Sequence, residues 1–210
     1  MKKIDIATWH RKEHFEFFRR ADLPFYNVNL NLDITGLREF AKRHSVSLNT
    51  MLIYITVKSM NSVENFRYRL HNDTVILHDQ LNPSFAHIKG NDDLFSMITV
   101  DYCEDLIEFS KRTKDAIDSS STYFDLAKLG GRDDLIFISP LPWIPFTGVD
   151  HTLSLKKDDG IPRISWGKFF EQKRSMQLPF NVQVNHMFVD GIHVGKFIEK
   201  LNETIAATMN

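Results

Sequence analysis

The residues with the clearest chemical potential lie together near the C-terminal end of the sequence. His186 is followed by Asp190 and Gly191, a spacing of H-x-x-x-D-G. Imidazole titrates near neutral pH, so a histidine can take a proton from a reacting group and later return it. Aspartate can cap a following helix, and glycine lets two backbones approach closely. The segment is therefore a candidate site for proton transfer.

Two other interpretations of this segment remain open on the residues alone. His186 could be a core histidine beside a capping Asp190, with no further role. The two side chains could also hold a metal ion from positions i and i+4, but no third and fourth ligands are spaced nearby. We therefore predict no metal site.

The elements around His186 favour a position at a strand exit, where a side chain can face a cleft. Residues 178–184 alternate apolar and polar side chains, as a half-buried strand does, and residues 192–207 have the pattern of a closing helix. Residues 26–32 alternate in the same way. Thr35 and Ser47 are expected to cap the next two helices.

The middle of the chain changes from helical to strand patterns. Residues 66–70 and 74–77 flank a turn-forming His-Asn-Asp segment, which predicts a hairpin. Further strands are expected at residues 84–88, 95–100, 135–138 and 164–170. The fold class is therefore predicted as an α/β (α+β) two-layer sandwich, with a mixed, largely antiparallel sheet covered by helices on one face. No linker or repeat is visible, so residues 1–210 are expected to form a single domain.

Composition excludes several classes of protein. The 210 residues carry a formal net charge of -1, which argues against a nucleic-acid-binding protein. Cys103 is the single cysteine, so neither an intrachain disulfide nor a cysteine zinc site can form, and a cytoplasmic location is expected. The basic start is followed by no apolar run, and no stretch approaches the ~20 apolar residues of a membrane span.

The sequence as a whole resembles the chloramphenicol acetyltransferase family, because several motifs follow one another in that family's order. The run from His186 to Gly191 matches its active-site signature, which dihydrolipoamide acyltransferase cores share more distantly. The other matching segments are residues 9–16, 32–35, 66–67, 95–96, 138–139 with 142–143, 167–168, 178–184 and 193–195.

The resemblance implies a reaction and roles for individual residues. An acetyl group would pass directly from acetyl-CoA, as co-substrate, to a hydroxyl group of chloramphenicol in a ternary complex. His186 would be the general base, and Ser139 would donate a hydrogen bond to the oxyanion of the tetrahedral intermediate. Asp190 would pair with Arg11 and hold the loop that carries His186, without relaying a proton.

The resemblance also implies binding residues and an assembly. Lys168, Phe169 and Ser165 would contact the co-substrate, and Tyr26 and Phe95 would belong to the acceptor pocket. The family implies a homotrimer whose three sites lie at subunit interfaces, so that much of the pocket facing each histidine comes from a neighbouring chain.

The sequence also departs from the family pattern. Asn185 replaces the histidine that usually precedes the catalytic one, Ser165 stands in place of threonine and Phe169 in place of tyrosine. Residues 149–160 are polar where the family has an apolar run lining the antibiotic pocket. Two alternatives to chloramphenicol acetylation follow: acetylation of another small hydroxyl compound, or a catalytically silent trimeric binding module.

Overall fold

The computed structural model describes residues 1–153 and 159–209, which form two sheets and a layer of helices. The strands are β1 (Lys2–Ile4), β2 (Phe25–Asp33), β3 (Tyr68–His71), β4 (Thr74–Leu77), β5 (Asn82–Ile88), β6 (Phe95–Thr99), β7 (Leu135–Leu141), β8 (Arg163–Gly167), β9 (Phe170–Gln172) and β10 (Ser175–Asn185). The helices are α1 (Lys12–Phe18), α2 (Leu37–Arg43), α3 (Leu48–Asn61), α4 (Leu106–Ser119), α5 (Leu126–Leu129) and α6 (Gly191–Met209), with a 3-10 turn at Glu64–Arg67.

The larger sheet has the strand order β2-β10-β8-β7-β5-β6, and β9 pairs with β10 beside this path. Strands β2, β8 and β9 run antiparallel to β10, and β6 runs antiparallel to β5. Strand β7 runs parallel to both β5 and β8. The predicted fold class, a mixed and largely antiparallel sheet with helices, is confirmed.

Alternation along β10 gives the larger sheet two chemically different faces. Phe180 and Val182 are fully buried and pack with residues of the helices in one continuous apolar core. Complete burial of such a side chain contributes about 1.5–3 kcal/mol. Asn181 and Gln183 point to the opposite face, since successive side chains of a strand alternate. Packing of its apolar side chains against the helices therefore fixes the register of β10, and its polar side chains lie on the opposite face of the sheet.

The small sheet contains the predicted hairpin and one further strand. β3 and β4 pair antiparallel as expected, and β1 adds to β4 as an edge strand that sequence patterns did not indicate. The predicted strand over residues 66–70 is wrong at its start, because Glu64–Arg67 forms a 3-10 turn that buries Phe66. Asn72, in the hairpin turn, adopts a left-handed conformation with φ of 43°.

Of the two predicted helix caps, one is confirmed. The Ser47 side chain accepts a hydrogen bond from the Thr50 backbone N–H at 3.0 Å and begins α3. Thr35 does not cap α2, whose N-cap is Gly36 at φ of 81°. The Thr35 hydroxyl accepts instead from the Met176 backbone N–H at 2.8 Å, which ties the entry of α2 to β10.

The helices within the described residues are too short or too polar to cross a membrane.

Candidate active site

His186 leaves the sheet directly at the end of β10. Its backbone N–H donates to the Pro24 carbonyl at 2.6 Å, which continues the pairing of β10 with β2 for one more residue. The ring is stacked on Phe18 of α1, with centroids 3.8 Å apart and planes 10° from parallel. Tyr26 lies against it at 4.7 Å and 45°. No sequence pattern indicated that Phe18 contacts His186.

The two ring nitrogens of His186 have different surroundings. Nδ1 is buried and lies 3.1 Å from Asp190 Oδ1, yet it has no hydrogen bond of acceptable geometry to the described residues. The side chain is 32% exposed. Because Nδ1 is covered, the accessible part of the ring is the opposite edge, which carries Nε2. Nε2 is therefore the ring nitrogen placed to meet a ligand proton.

Arg11 binds the loop after β10 through four hydrogen bonds. Its Nη1 and Nη2 donate to the two oxygens of Asp190, the second at 2.5 Å. Nε donates to the Met187 carbonyl at 2.8 Å, and Nη2 also donates to the His186 carbonyl at 2.9 Å. The guanidinium thus fixes the backbone of His186, the candidate for proton transfer. It also lowers the pKa of Asp190, which keeps that carboxylate ionised.

Two neighbouring side chains are held in neutral forms. Burial is the main cause that raises the pKa of Tyr26 to about 12, so its phenol stays protonated. Its hydroxyl donates a long hydrogen bond of 3.4 Å to the Val189 carbonyl. Burial also lowers the pKa of His193, whose Nδ1 accepts from the Asp190 backbone N–H at 2.9 Å. His193 was part of a matching motif, but no role was predicted for it.

Four of the other predicted site residues line a separate cavity of about 600 Å³. Ser139 of β7, Phe95 of β6, and Lys168 and Phe169 between β8 and β9 all face it. The remaining walls are mostly apolar and include residues not predicted from the sequence: Leu48, Asn49, Leu52, Ala86, His87, Ile88, Pro140, Leu141, Pro142, Trp143, Trp166, Gly167 and Leu178. The cavity is large enough for an extended organic ligand.

Ser165, which was predicted to bind the co-substrate, lies on the polar face of the sheet and does not line the cavity. It is fully buried, and its hydroxyl lies 3.3 Å from His151 Nε2. In register, Asn29, Asn181, Ser165 and Ser139 form a row across four strands. Directly opposed residues share a face, so Ser139 belongs to the same polar row.

His186 and Ser139 are far apart within one chain. Ser139 lies on β7, two strands away from β10, and its position in register corresponds to Asn181 of β10. His186 is five residues beyond Asn181 along β10. At ~3.3 Å per residue and ~4.8 Å between strands, their backbones are about 19 Å apart. The structure therefore joins Arg11, Asp190 and Tyr26 with His186, and joins Lys168, Phe169 and Phe95 with Ser139, but keeps the two groups separate.

A metal ion between His186 and Asp190 would find no third histidine, cysteine or carboxylate ligand among residues 1–153 and 159–209. Within the described residues, no third histidine, cysteine or carboxylate atom lies within 4.8 Å of both at this place. Asp190 is moreover engaged by Arg11 through both oxygens.

Comparison with known proteins identifies relatives over the whole chain. The family model described as chloramphenicol acetyltransferase matches residues 1–202. The chloramphenicol acetyltransferase of Clostridium perfringens is 31% identical over 202 residues, covering 95% of this chain and 92% of the relative. That of Klebsiella sp is 26% identical over 200 residues, covering 95% and 91%.

Solved structures agree with the sequence relatives. A chloramphenicol acetyltransferase structure superposes with a TM-score of 0.90 at 26% identity, covering 97% of this chain and 100% of the other. The dihydrolipoamide acetyltransferase of Azotobacter vinelandii shares the fold, with a TM-score of 0.67 at 15% identity over 92% and 86% of the two chains. With the family model spanning nearly all residues, the chain belongs to the chloramphenicol acetyltransferase family and is an acyltransferase.

Proposed function

We propose that this enzyme transfers the acetyl group of acetyl-CoA to a hydroxyl group of chloramphenicol, which would inactivate the antibiotic. The observation that carries this proposal is the fixed imidazole of His186. Phe18 and Arg11 hold its ring and backbone, and its Nε2 edge faces outward. Acyl transfer to a hydroxyl needs such a positioned base. With Cys103 as its single cysteine, the chain has no intrachain disulfide that would need an oxidising compartment, which fits a cytoplasmic location.

His186 Nε2 takes the proton from the acceptor hydroxyl while that oxygen attacks the thioester carbonyl carbon. The carbonyl becomes an oxyanion, and the carbon becomes tetrahedral. When the intermediate collapses, the carbon–sulfur bond breaks and the thiolate of CoA takes the proton back from the imidazolium. The products are the acetyl ester and CoA, and no acyl-enzyme forms. Asp190 stays ionised and bound to Arg11 throughout, so it positions the loop and relays no proton.

Ser139 supplies the hydrogen bond to the oxyanion. Its place on the cavity wall supports this role, because the apolar cavity beside it fits the pantetheine arm of acetyl-CoA. Lys168 offers a positive charge for a CoA phosphate, and Phe169 offers a ring surface at the same wall. Ser165 is opposite Ser139 in register on the neighbouring strand, and it is buried and does not line the cavity. A preorganised hydrogen-bond donor such as Ser139 typically changes kcat by about 10²–10³-fold.

The distance between His186 and Ser139 leads us to propose a homotrimer. The two side chains must approach the same carbonyl group to within hydrogen-bond reach, which is not possible about 19 Å apart in one chain. A cyclic assembly with one repeated heterologous interface can bring His186 of one chain to the cavity of the next. Trp143 supports this, because it lies on the cavity wall with 64% of its surface exposed.

Mixing two inactive variants tests the shared site. We expect His186→Ala and Ser139→Ala to be almost inactive alone and to regain activity when coexpressed. In a mixed trimer, about one third of the interfaces, one of the three, combine an intact His186 with an intact Ser139. Recovery is measured as kcat per site after purification of the mixed assembly through two different tags.

The control for this experiment is the double variant coexpressed with wild type, which gives the activity expected from wild-type interfaces alone. If the two single variants stay inactive together although mixed trimers form, both residues act within one chain, and the interface proposal is wrong.

Release of CoA tests the reaction itself. We expect the wild-type enzyme to release free CoA thiol from acetyl-CoA rapidly only when chloramphenicol is present, because attack on the thioester needs the acceptor hydroxyl. The measurement is thiol titration with and without the drug, and mass spectrometry should find one added acetyl group. Acetyl-CoA binding without drug-dependent release would contradict chloramphenicol as the acceptor.

A second candidate function is acetylation of a more polar hydroxyl compound. The observation that favours it is His151, in the polar segment 149–160, of which residues 154–158 lie outside the described part of the chain. His151 Nε2 lies 3.2 Å from Asn181 Oδ1 and 3.3 Å from Ser165 Oγ. Burial lowers its pKa, so the ring is a neutral hydrogen-bonding group on the polar face.

Replacement of His151 tests whether this residue contacts the acceptor. If His151 lies against the acceptor, His151→Leu should lower KM for chloramphenicol several-fold, because an apolar wall removes a polar group from contact with an apolar ligand, a change of about 1 kcal/mol. His151→Gln keeps hydrogen-bonding capacity and should leave KM close to the wild-type value. Equal KM values in all three proteins would place His151 away from the acceptor.

A further inference from the structure

Three potential metal ligands converge on the small sheet, away from His186 and from the cavity. His71 ends β3, His78 follows β4 directly, and Asp133 stands two residues before β7. The hairpin thus presents two imidazoles to a carboxylate from a distant part of the chain. Neither the resemblance nor the proposed reaction gives these residues a role.

The three ligand atoms already face one another. His78 Nε2 lies 2.9 Å from Asp133 Oδ1, and His71 Nε2 forms a hydrogen bond with Oδ2 of the same carboxylate. All three ligand atoms lie within 4.8 Å of one another. The side chains are 45%, 11% and 25% exposed for His71, His78 and Asp133, so the cluster is anchored inside and open to solvent on one side.

The backbone behind the cluster is rigidly held. Arg69 is fully buried, and its Nε donates to the Asp133 carbonyl at 2.6 Å. Its other nitrogens donate to the carbonyls of Phe66, Tyr68 and Leu135. Arg69 therefore ties the loop of Asp133 to β3. Ligands that are positioned by their surroundings lose little freedom when an ion binds, which favours binding.

The geometry is compatible with zinc after a small rearrangement of the ligands. Zn²⁺ binds histidine nitrogens and carboxylate oxygens at ~2.0–2.2 Å in a tetrahedral arrangement, which places neighbouring ligand atoms about 3.3 Å apart. The present hydrogen-bonded spacing needs to widen by only a few tenths of an ångström for His78 and Asp133. We propose that His71, His78 and Asp133 form a Zn²⁺ site on the small sheet, with water as the fourth ligand.

The charges around the cluster are compatible with a cation. Asp133 supplies the carboxylate of the cluster, and both imidazoles are hydrogen-bonded to it. The guanidinium of Arg69 opposes a cation nearby. It is itself balanced by the carboxylates of Asp133, Asp134 and Asp159. Zinc would take the place of the hydrogen bonds that now join His71 and His78 to Asp133.

Binding is tested on the full-length, untagged enzyme after treatment with a chelator. Isothermal titration with ZnCl₂ should give one site per chain in the wild type, and Co²⁺ should give the visible bands of a four-coordinate complex. His71→Ala and Asp133→Asn should each weaken zinc affinity about a hundredfold. His44→Ala removes an exposed histidine elsewhere and should bind like the wild type.

Circular dichroism without zinc checks that each variant is folded, and His71 is exposed enough for its removal to be tolerated. Absence of stoichiometric zinc binding to the wild type would overturn the proposal. Unchanged affinity in a folded His71→Ala protein would also overturn it, because the ion would then bind elsewhere. These readouts do not depend on acetyl transfer, so they are independent of the proposed function.

Discussion

His186→Ala is expected to reduce kcat/KM by about 10²–10⁴-fold, the usual contribution of a general base to catalysis. The ring that takes the acceptor proton is lost, and water cannot replace it at the same position. Binding of acetyl-CoA should be unchanged, because the cavity lined by Ser139 and Lys168 does not include His186. The effect should therefore fall on kcat with little change in KM for acetyl-CoA.

The measurement is steady-state release of CoA thiol over a range of acceptor concentrations, with His44→Ala as a control for loss of a histidine outside the site. His186→Gln, which keeps polarity but cannot carry the proton at neutral pH, should be as inactive as the alanine variant. If His186→Ala retains wild-type turnover, or if the wild type shows none with any hydroxyl acceptor, the chain is better described as a binding module that shares the fold.

The sequence allowed the strand that carries His186 to be predicted, because β10 alternates over its whole length. Leu178, Phe180, Val182 and Val184 are all buried on the helix side, so one apolar pattern determines the register of the strand. The position of His186 at the strand exit was predicted from this pattern, and the pairing of Asp190 with Arg11 was predicted from the family resemblance. The geometry of Arg11 and Asp190 agrees with that expectation.

Other features depend on contacts between distant segments and have no local pattern. Phe18 is an ordinary helix residue until α1 packs beside the end of β10 and stacks it on His186. The polar row from Asn29 to Ser139 comes from four strands whose register only the folded sheet defines. The cluster of His71, His78 and Asp133 joins a hairpin to a loop more than fifty residues away. Single-segment patterns cannot reveal such pairs.

Arg11→Ala is expected to destabilise the fold by about 3 kcal/mol, at the lower end of the ~3–5 kcal/mol found when one partner of a buried ion pair is removed. Arg11 is almost completely buried, whereas a quarter of Asp190 is exposed, so water partly compensates the stranded carboxylate. The carbonyls of His186 and Met187 also lose their donor. Activity should therefore fall together with stability, since the backbone of His186 is no longer fixed.

Urea unfolding at constant protein concentration measures this loss, because an oligomer's stability depends on concentration. Arg11→Lys is the matched control. It keeps the charge but cannot form the planar fork to two carboxylate oxygens and two carbonyls, so its stability should lie between those of Arg11→Ala and wild type. A destabilisation below about 1 kcal/mol for Arg11→Ala would mean that the loop is held by its apolar contacts, with the ion pair incidental.

The pH dependence gives an independent check through Asp190. The hydrogen bonds and charge of Arg11 lower its pKa in the folded protein, whereas in the unfolded chain it returns to an ordinary value of about 3.9. A carboxyl with a lowered folded pKa contributes stability above the unfolded pKa and loses it as pH falls through the folded pKa. The stability difference between wild type and Asp190→Asn should thus be constant near neutral pH and shrink below about pH 4. If the stability difference persists unchanged in acid, its source is the shape of the side chain and not the ionisation of Asp190.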